Sequence, residues 1–301
     1  MRAAGLACTL LPVAAVNAAK LLQSNDDGWA EINLRTFHNV LRTAGHNVVL
    51  SGPAENESAR GSLDKDPTTL SSPCEYDSCP EGSPATGSNA TDPRLNYVNS
   101  YPVTSVRYGL NTSAANFFDG TAPDLVLTGP NVGTNLDIQL PFSGTVGGAS
   151  YAAHTAKVPA IAFSGKTGDP TAWNEETPLY STVYADLAQI VTEHVLAGGA
   201  PYLPDDVFLN VNFPAVSEDS CNEASQFKFV LTRVNLHTPG LSDDDVQTCD
   251  RETLPREREV IDTDGCYVSI SVGDAADKTT ATADKQQVVL DKLGDLLTCL
   301  P

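Results

Sequence analysis

The strongest constraint on this chain is a change of period near its start. Lys20–Ser24 (KLLQS) reads as a short strand, and strand propensity collapses at Asn25-Asp26-Asp27-Gly28. From Ala30 the apolar spacing is helical, with Phe37, Val40, Leu41 and Ala44 on one face and Gly45 as a natural stop. His46–Leu50 is a second strand, ending at Ser51-Gly52-Pro53. Two strands joined through a helix in so short a span must run parallel. Asp124–Thr128 (DLVLT), Pro159–Phe163 and Val207–Asn212 continue the strand pattern. Between them lie a tightly packed small-residue helix at Gly144–Lys157 and a helix at Leu179–Ala197. In the latter, Tyr180, Val183, Leu187, Ile190 and Val191 share a face. The alternation predicts an α/β fold of three layers, α/β/α and Rossmann-like, with a mostly parallel sheet.

Two stretches break the alternation. Residues 55–100 are rich in Ser, Gly, Pro, Asp and Asn and read as a long surface insertion, part of it near the active face. After residue 215 the chain becomes a β-rich extension. It has strands at Phe227–Val234 and Cys266–Val272, a charged loop at Ser242–Arg258 and a closing helix at Asp284–Leu297. In the second strand Tyr267, Ser269 and Ser271 alternate with apolar residues, giving it one polar face. The organisation expected is a leader at 1–18, a core at 19–215 and an extension at 216–301, the tail packing on the main sheet or on a second subunit.

Met1-Arg2 is followed by the uncharged run Ala3–Val16 and by small residues to Ala19, the layout of a secretory signal peptide cut after Ala18 or Ala19. The apolar run is too short to span a bilayer, and no later segment is apolar enough to do so. The expected location is therefore secreted, extracellular. Removing the leader takes Cys8 and leaves six cysteines, an even number that suits an oxidising compartment. Cys74 and Cys79 are expected to pair. Of the three ways to pair the rest, Cys221–Cys249 with Cys266–Cys299 is favoured. N-glycosylation sequons stand at Asn56, Asn89 and Asn111. Lys+Arg total 18 against 38 Asp+Glu, a net charge of −20, which argues against a nucleic-acid polymer or an anionic membrane as partner. A small anionic substrate needs a local cation to reverse that field.

In an open parallel sheet, ligands sit beyond the C-terminal ends of the strands. Four segments there carry unusual chemistry: Asn25–Gly28, the loop through Ser58 to Ser62, Gly129-Pro130-Asn131-Val132-Gly133-Thr134-Asn135, and Ser143-Gly144-Thr145 opening a helix. Adjacent aspartates at a strand end repel unless a positive charge sits between them. Oxygen ligands alone, with Asn131 and Ser58 added, favour Mg²⁺, Mn²⁺ or Ca²⁺. Backbone N–H groups and hydroxyls at Ser143–Thr145 suit a phosphate, and a cation beside it lowers the pKa of a bound water. Each segment taken singly also reads as a turn or a helix cap.

Taken together, NDDG after the first strand, a serine loop after the second, GPNVGTN after DLVLTG, and SGTV opening a helix resemble the survival protein SurE family, with PAIAFSG and LNVNFP as further strands. The match runs over roughly residues 20–215. The resemblance implies metal-dependent 5′-nucleotidases and acid phosphatases acting on nucleoside monophosphates and other small phosphate monoesters. The leader and cysteines are similar to those of the secreted eukaryotic branch. Carried over, Asp26, Asp27, Ser58 and Asn131 are metal ligands; Asn135, Ser143, Gly144 and Thr145 hold the phosphate; Asp26 orients or deprotonates the attacking water. The cation implied is Mg²⁺ or Mn²⁺ first, then Ca²⁺, and a homodimer or tetramer is implied as well. Where the family usually has Gly after the ligand serine, this chain has Ala59, which is strained if φ is positive there. A glycan at Asn56 would crowd the site, so that sequon is expected to be unused or its glycan to point away.

The alternative reading is a non-catalytic secreted protein that binds metal or nucleotide on the same fold. No GxSxG elbow marks a serine esterase, the histidines fall in no catalytic motif, and His38 and His194 read as surface residues.

Overall fold

The computed structural model describes residues 18–240 and 242–301, so the leader expected at 1–18 falls outside it up to residue 17. The strands are β1 (Lys20–Ser24), β2 (Asn47–Pro53), β3 (Thr86–Ser88), β4 (Leu95–Val98), β5 (Leu125–Val132), β6 (Ala160–Gly165), β7 (Val207–Phe213), β8 (Lys228–Thr232) and β9 (Tyr267–Asp274). The helices are α1 (Ile32–Thr43), α2 (Pro102–Tyr108), α3 (Gly144–Ser150), α4 (Leu179–Ala197), α5 (Glu257–Ile261) and α6 (Ala283–Leu293). One sheet holds all nine strands in the order β3-β4-β2-β1-β5-β6-β7-β9-β8. From β4 to β7 every neighbour is parallel; β3 and β9 run antiparallel to their neighbours β4 and β7.

The sheet is covered on both faces, as consecutive residues of β1 illustrate. Leu21 and Leu22 point opposite ways and are both fully buried. Leu21 joins Phe37 of α1, Leu187 of α4 and Val289 of α6. Leu22 joins Val106 of α2 and Val146 of α3. This is the expected three-layer fold. Because α1 and α2 lie on opposite faces, the chain leaves β1 toward β2 on one side and reaches β5 on the other. The crevice at the C-terminal ends of β1 and β5 is thus a topological switch point.

The insertion does more than cover the surface: its β4 pairs in parallel with β2, and β3 closes that edge. The extension continues the same sheet through β9 and β8. The small-residue helix ends earlier than expected, at Ser150, and is followed by a wider π turn over Tyr151–Thr155. The polar side of β9 is buried, with Ser271 hydrogen-bonded to Thr232. The charged loop is partly internal too, since Asp245 is buried and pairs with Arg233.

Cys74 pairs with Cys79 as expected, but the other bridges are Cys221–Cys266 and Cys249–Cys299, not Cys221–Cys249 and Cys266–Cys299. The antiparallel β7–β9 register explains the first correction. It sets the start of β9 beside the end of β7, which brings Cys266 near the loop that carries Cys221. Cys299 is held near β8 because the Thr298 N–H donates to the Phe229 carbonyl. His38 is also not a surface residue. It is 2% exposed and bonds to Gln23, and burial lowers its pKa to about 3, so it is neutral. His194 is half-buried and bonds to the Ile190 carbonyl.

Candidate active site

Strand β1 ends by burying both Asp26 and Asp27, 3% and 2% exposed. Asp26 accepts from the Thr145 hydroxyl, and from the Gly144 N–H at 3.1 Å. Asp27 accepts from the Val132 N–H at 2.9 Å. The Thr145 hydroxyl also lies 3.3 Å from the Asn131 Oδ1. Three of the four expected segments are therefore stitched directly together. Asn131 gets its aim from an irregularity: the β5–β6 register shifts between Thr128 and Asn131, and its amide donates to the Gly133 carbonyl at 2.7 Å. Gly144 permits the contact, since a Cβ there would come within 2.8 Å of the Asp26 Cβ and of Pro102. Likewise a Cβ on Gly147 would run into the Gly61 carbonyl, so the small residues of α3 let it approach the serine loop.

That loop is held differently. The Glu57 N–H donates to the Asp26 carbonyl at 2.7 Å, and the Gly61 N–H to the Phe142 carbonyl at 2.9 Å. Between these two ties Ser58 is exposed, and its hydroxyl has no hydrogen bond among the described residues. Its N–H donates to the Asn56 Oδ1 at 3.0 Å. Ala59 sits at φ +61°, in the region where an L-residue is strained, and Gly61 at +56° does not relieve it.

Asn135 is separate from the aspartates. Its amide donates to Ser164, its carbonyl accepts from Asn210 and Asn212, and its N–H donates to Asn212. Behind it Glu257, fully buried, accepts from Asn210 at 2.7 Å and from the Asp137 N–H at 2.9 Å. Burial pushes the Glu257 carboxyl up to about 7. Two asparagines alternating in a buried strand, Asn210 and Asn212, were the available sequence signal for this network. Ser143 caps α3 by accepting from the Val146 N–H, which leaves its hydroxyl proton free.

Burial raises the pKa of both aspartates, and the charges of Asp26, Glu31 and Glu75 raise that of Asp27 further. Glu31, which caps α1, is itself pushed up to about 8 by burial. Glu75, within the Cys74–Cys79 loop, was not expected here; one of its carboxylate oxygens packs against Gly28 so closely that a Cβ there would clash with it. Among the described residues the side-chain oxygens of Asp26 and Asp27 accept from neutral donors and form no ion pair. No three His, Cys, Asp or Glu residues among them form a metal set by themselves. Two buried carboxylates with amide and hydroxyl oxygens beside them do suit a hard divalent cation.

This arrangement can be set beside known proteins. The family model "Survival protein SurE" matches residues 21–237. The chain belongs to the SurE family. An acid phosphatase from Yarrowia lipolytica is 34% identical over 284 residues, covering 84% of this chain and 78% of that protein. A 5′-nucleotidase SurE from Gloeobacter violaceus is 31% identical over 204 residues, covering 66% and 65%. A crystal structure of the SurE protein from Aquifex aeolicus superposes with a TM-score of 0.58 at 22% identity, covering 91% of this chain and 99% of that one, which supports the α/β/α fold. The SurE match ends before α5, β9 and α6, yet Glu257 of α5 reaches the Asn135 network from that region.

Proposed function

We propose that this chain is a secreted, divalent-metal-dependent phosphomonoesterase that hydrolyses nucleoside monophosphates and related small phosphate esters. The coarser assignment, a hydrolase of phosphate monoesters, rests on SurE membership and on relatives named acid phosphatase and 5′-nucleotidase. The finer one rests chiefly on the paired buried aspartates, which form no ion pair among the described residues and are joined to Asn131 through Thr145.

Asp26, Asp27, Asn131 and Ser58 would hold the cation, with Mg²⁺ or Mn²⁺ matching this oxygen set best. When bound, such an ion neutralises phosphate charge and acidifies a coordinated water. Asp26 is oriented by Gly144 and Thr145 and is the residue to align and deprotonate the attacking water. Ser143 offers its free hydroxyl proton to a phosphate oxygen, and Asn135, braced from behind, offers its remaining amide hydrogen. Gly144 and Thr145 spend their donors on Asp26, so they serve the substrate mainly by fixing that carboxylate. The three bridges suit secretion. No helix among the described residues is long and apolar enough to cross a membrane.

The test is phosphate release from nucleoside monophosphates after chelation and metal add-back. EDTA should abolish turnover, Mg²⁺ or Mn²⁺ should restore it, and Asp26→Asn should lower kcat at least about a thousandfold. Unchanged metal-free turnover in Asp26→Asn would sink the proposal. Binding without turnover under every cation would favour the non-catalytic alternative.

A further inference from the structure

The two segments that carry Ser58 and Ser143 also carry exposed apolar side chains that the chemistry above does not use. Six large apolar residues are conspicuously exposed among the described residues: Leu63, Ile138, Phe142, Leu179, Leu236 and Val288. Three of them, Leu63 (52% exposed), Ile138 (83%) and Phe142 (67%), lie on the two segments that carry Ser58 and Ser143. Those segments are tied together where the Gly61 N–H donates to the Phe142 carbonyl at 2.9 Å. The Phe142 N–H donates to the Gln139 carbonyl at 3.0 Å, so the backbone that presents the ring is fixed at both groups. Phe142 immediately precedes Ser143, whose helix docks on Asp26.

We propose that Phe142, with Leu63 and Ile138 on the same two segments, is the platform for the organic group of the phosphate ester, and that it selects esters with a flat, largely apolar leaving group such as a nucleoside. The inference rests on the phosphomonoesterase reading. It is argued from covalent continuity: a phosphoryl group held against Asp26, Asn131 and Ser143 must project its ester oxygen and substituent toward the mouth of the crevice. The next side chain along the chain from Ser143 is an exposed aromatic ring. Ring-on-base stacking is tolerant of base identity and contributes binding in ground and transition states alike. It should therefore appear in KM and not in kcat.

The experiment compares adenosine 5′-monophosphate with glycerol phosphate in wild type, Phe142→Ala and Phe142→Trp, together with calorimetric binding of adenosine 5′-monophosphate and the solution mass of each variant. Phe142→Ala is expected to raise KM for the nucleotide about tenfold, with kcat unchanged and glycerol phosphate within twofold of wild type. Phe142→Trp is expected to restore the nucleotide KM. Equal losses on both esters would overturn the proposal by showing that Phe142 merely positions Ser143. A smaller oligomer in Phe142→Ala would overturn it in favour of a subunit contact, and an unchanged nucleotide KM would overturn it while leaving the phosphatase reading intact. If the wild type turns over neither ester, the phosphatase reading fails by itself. The platform then stands or falls on whether Phe142→Ala weakens nucleotide binding tenfold.

Discussion

The switch-point cradle and the Ser58 loop are neighbours with opposite characters. In the cradle, Asp26, Asp27, Asn131 and Thr145 sit at or beside the ends of buried strands, and the two carboxylates draw donors from other segments. The Ser58 loop reaches the same place by two backbone bonds, exposes its serine and holds Ala59 at positive φ. The sheet dictates the first arrangement, whereas the second is a strained excursion that the sheet merely anchors. If this place seats a cation as proposed, it would offer rigid charge on one side and an adjustable neutral hydroxyl on the other.

The comparison breaks most readily at Gly144. Alanine there would bring its Cβ within 2.8 Å of the Asp26 Cβ and of Pro102, with no flexible end to yield. Gly144→Ala is expected to lower phosphatase kcat about a hundredfold and destabilise the fold by about 1–3 kcal/mol, measured by steady-state kinetics and denaturant unfolding. Near-normal kinetics would show that the cradle is not rigid.

The second prediction concerns pH. Glu31 and Glu257, with ordinary values near 4.5, are raised by burial to about 8 and about 7 in the fold. Such carboxyls bind a proton more tightly folded than unfolded, so their contribution is full below about pH 4.5 and is lost as pH rises through 7 and 8. Unfolding free energy should fall from pH 5 to pH 8.5 by an amount on the order of a few kcal/mol. Glu257→Gln should flatten that slope. A stability that rises over the interval would contradict the buried-carboxyl picture.

The smallest effect sharpens the comparison from the loop side. Ala59→Gly should relieve the strain at φ +61° and stabilise the protein by about 1 kcal/mol, less the entropy that glycine adds to the unfolded chain. A destabilised Ala59→Gly would mean that the loop relaxes away from this conformation.

Much of this fold is legible in the sequence alone. Lys20–Ser24 and Leu179–Ala197 have the bounds expected from period alone, because local apolar spacing and a Gly stop decide them. That Asp26, Asp27 and Asn131 come together is legible because each stands at a strand end beside the switch point. What stayed hidden depends on which strands lie side by side. Leu95–Val98 is four residues long in a polar stretch, and only its pairing with β2 makes it a strand. The Cys221–Cys266 bridge follows from β9 running antiparallel to β7, which no spacing of cysteines encodes. Glu257 and Asn210 meet across 47 residues of sequence, and Glu75 reaches Gly28 from inside the insertion, so neither could be assigned to the site from local pattern.

The central claim is that strand ends far apart in sequence make one oxygen-lined seat for a divalent cation. Anomalous diffraction from a crystal soaked in Mn²⁺ tests it directly. The account predicts a single strong peak in direct coordination with carboxylate oxygens of Asp26 and Asp27 and the amide oxygen of Asn131, lost in Asp27→Asn. A peak elsewhere on this acidic surface, with the cradle empty at saturating Mn²⁺, would contradict it.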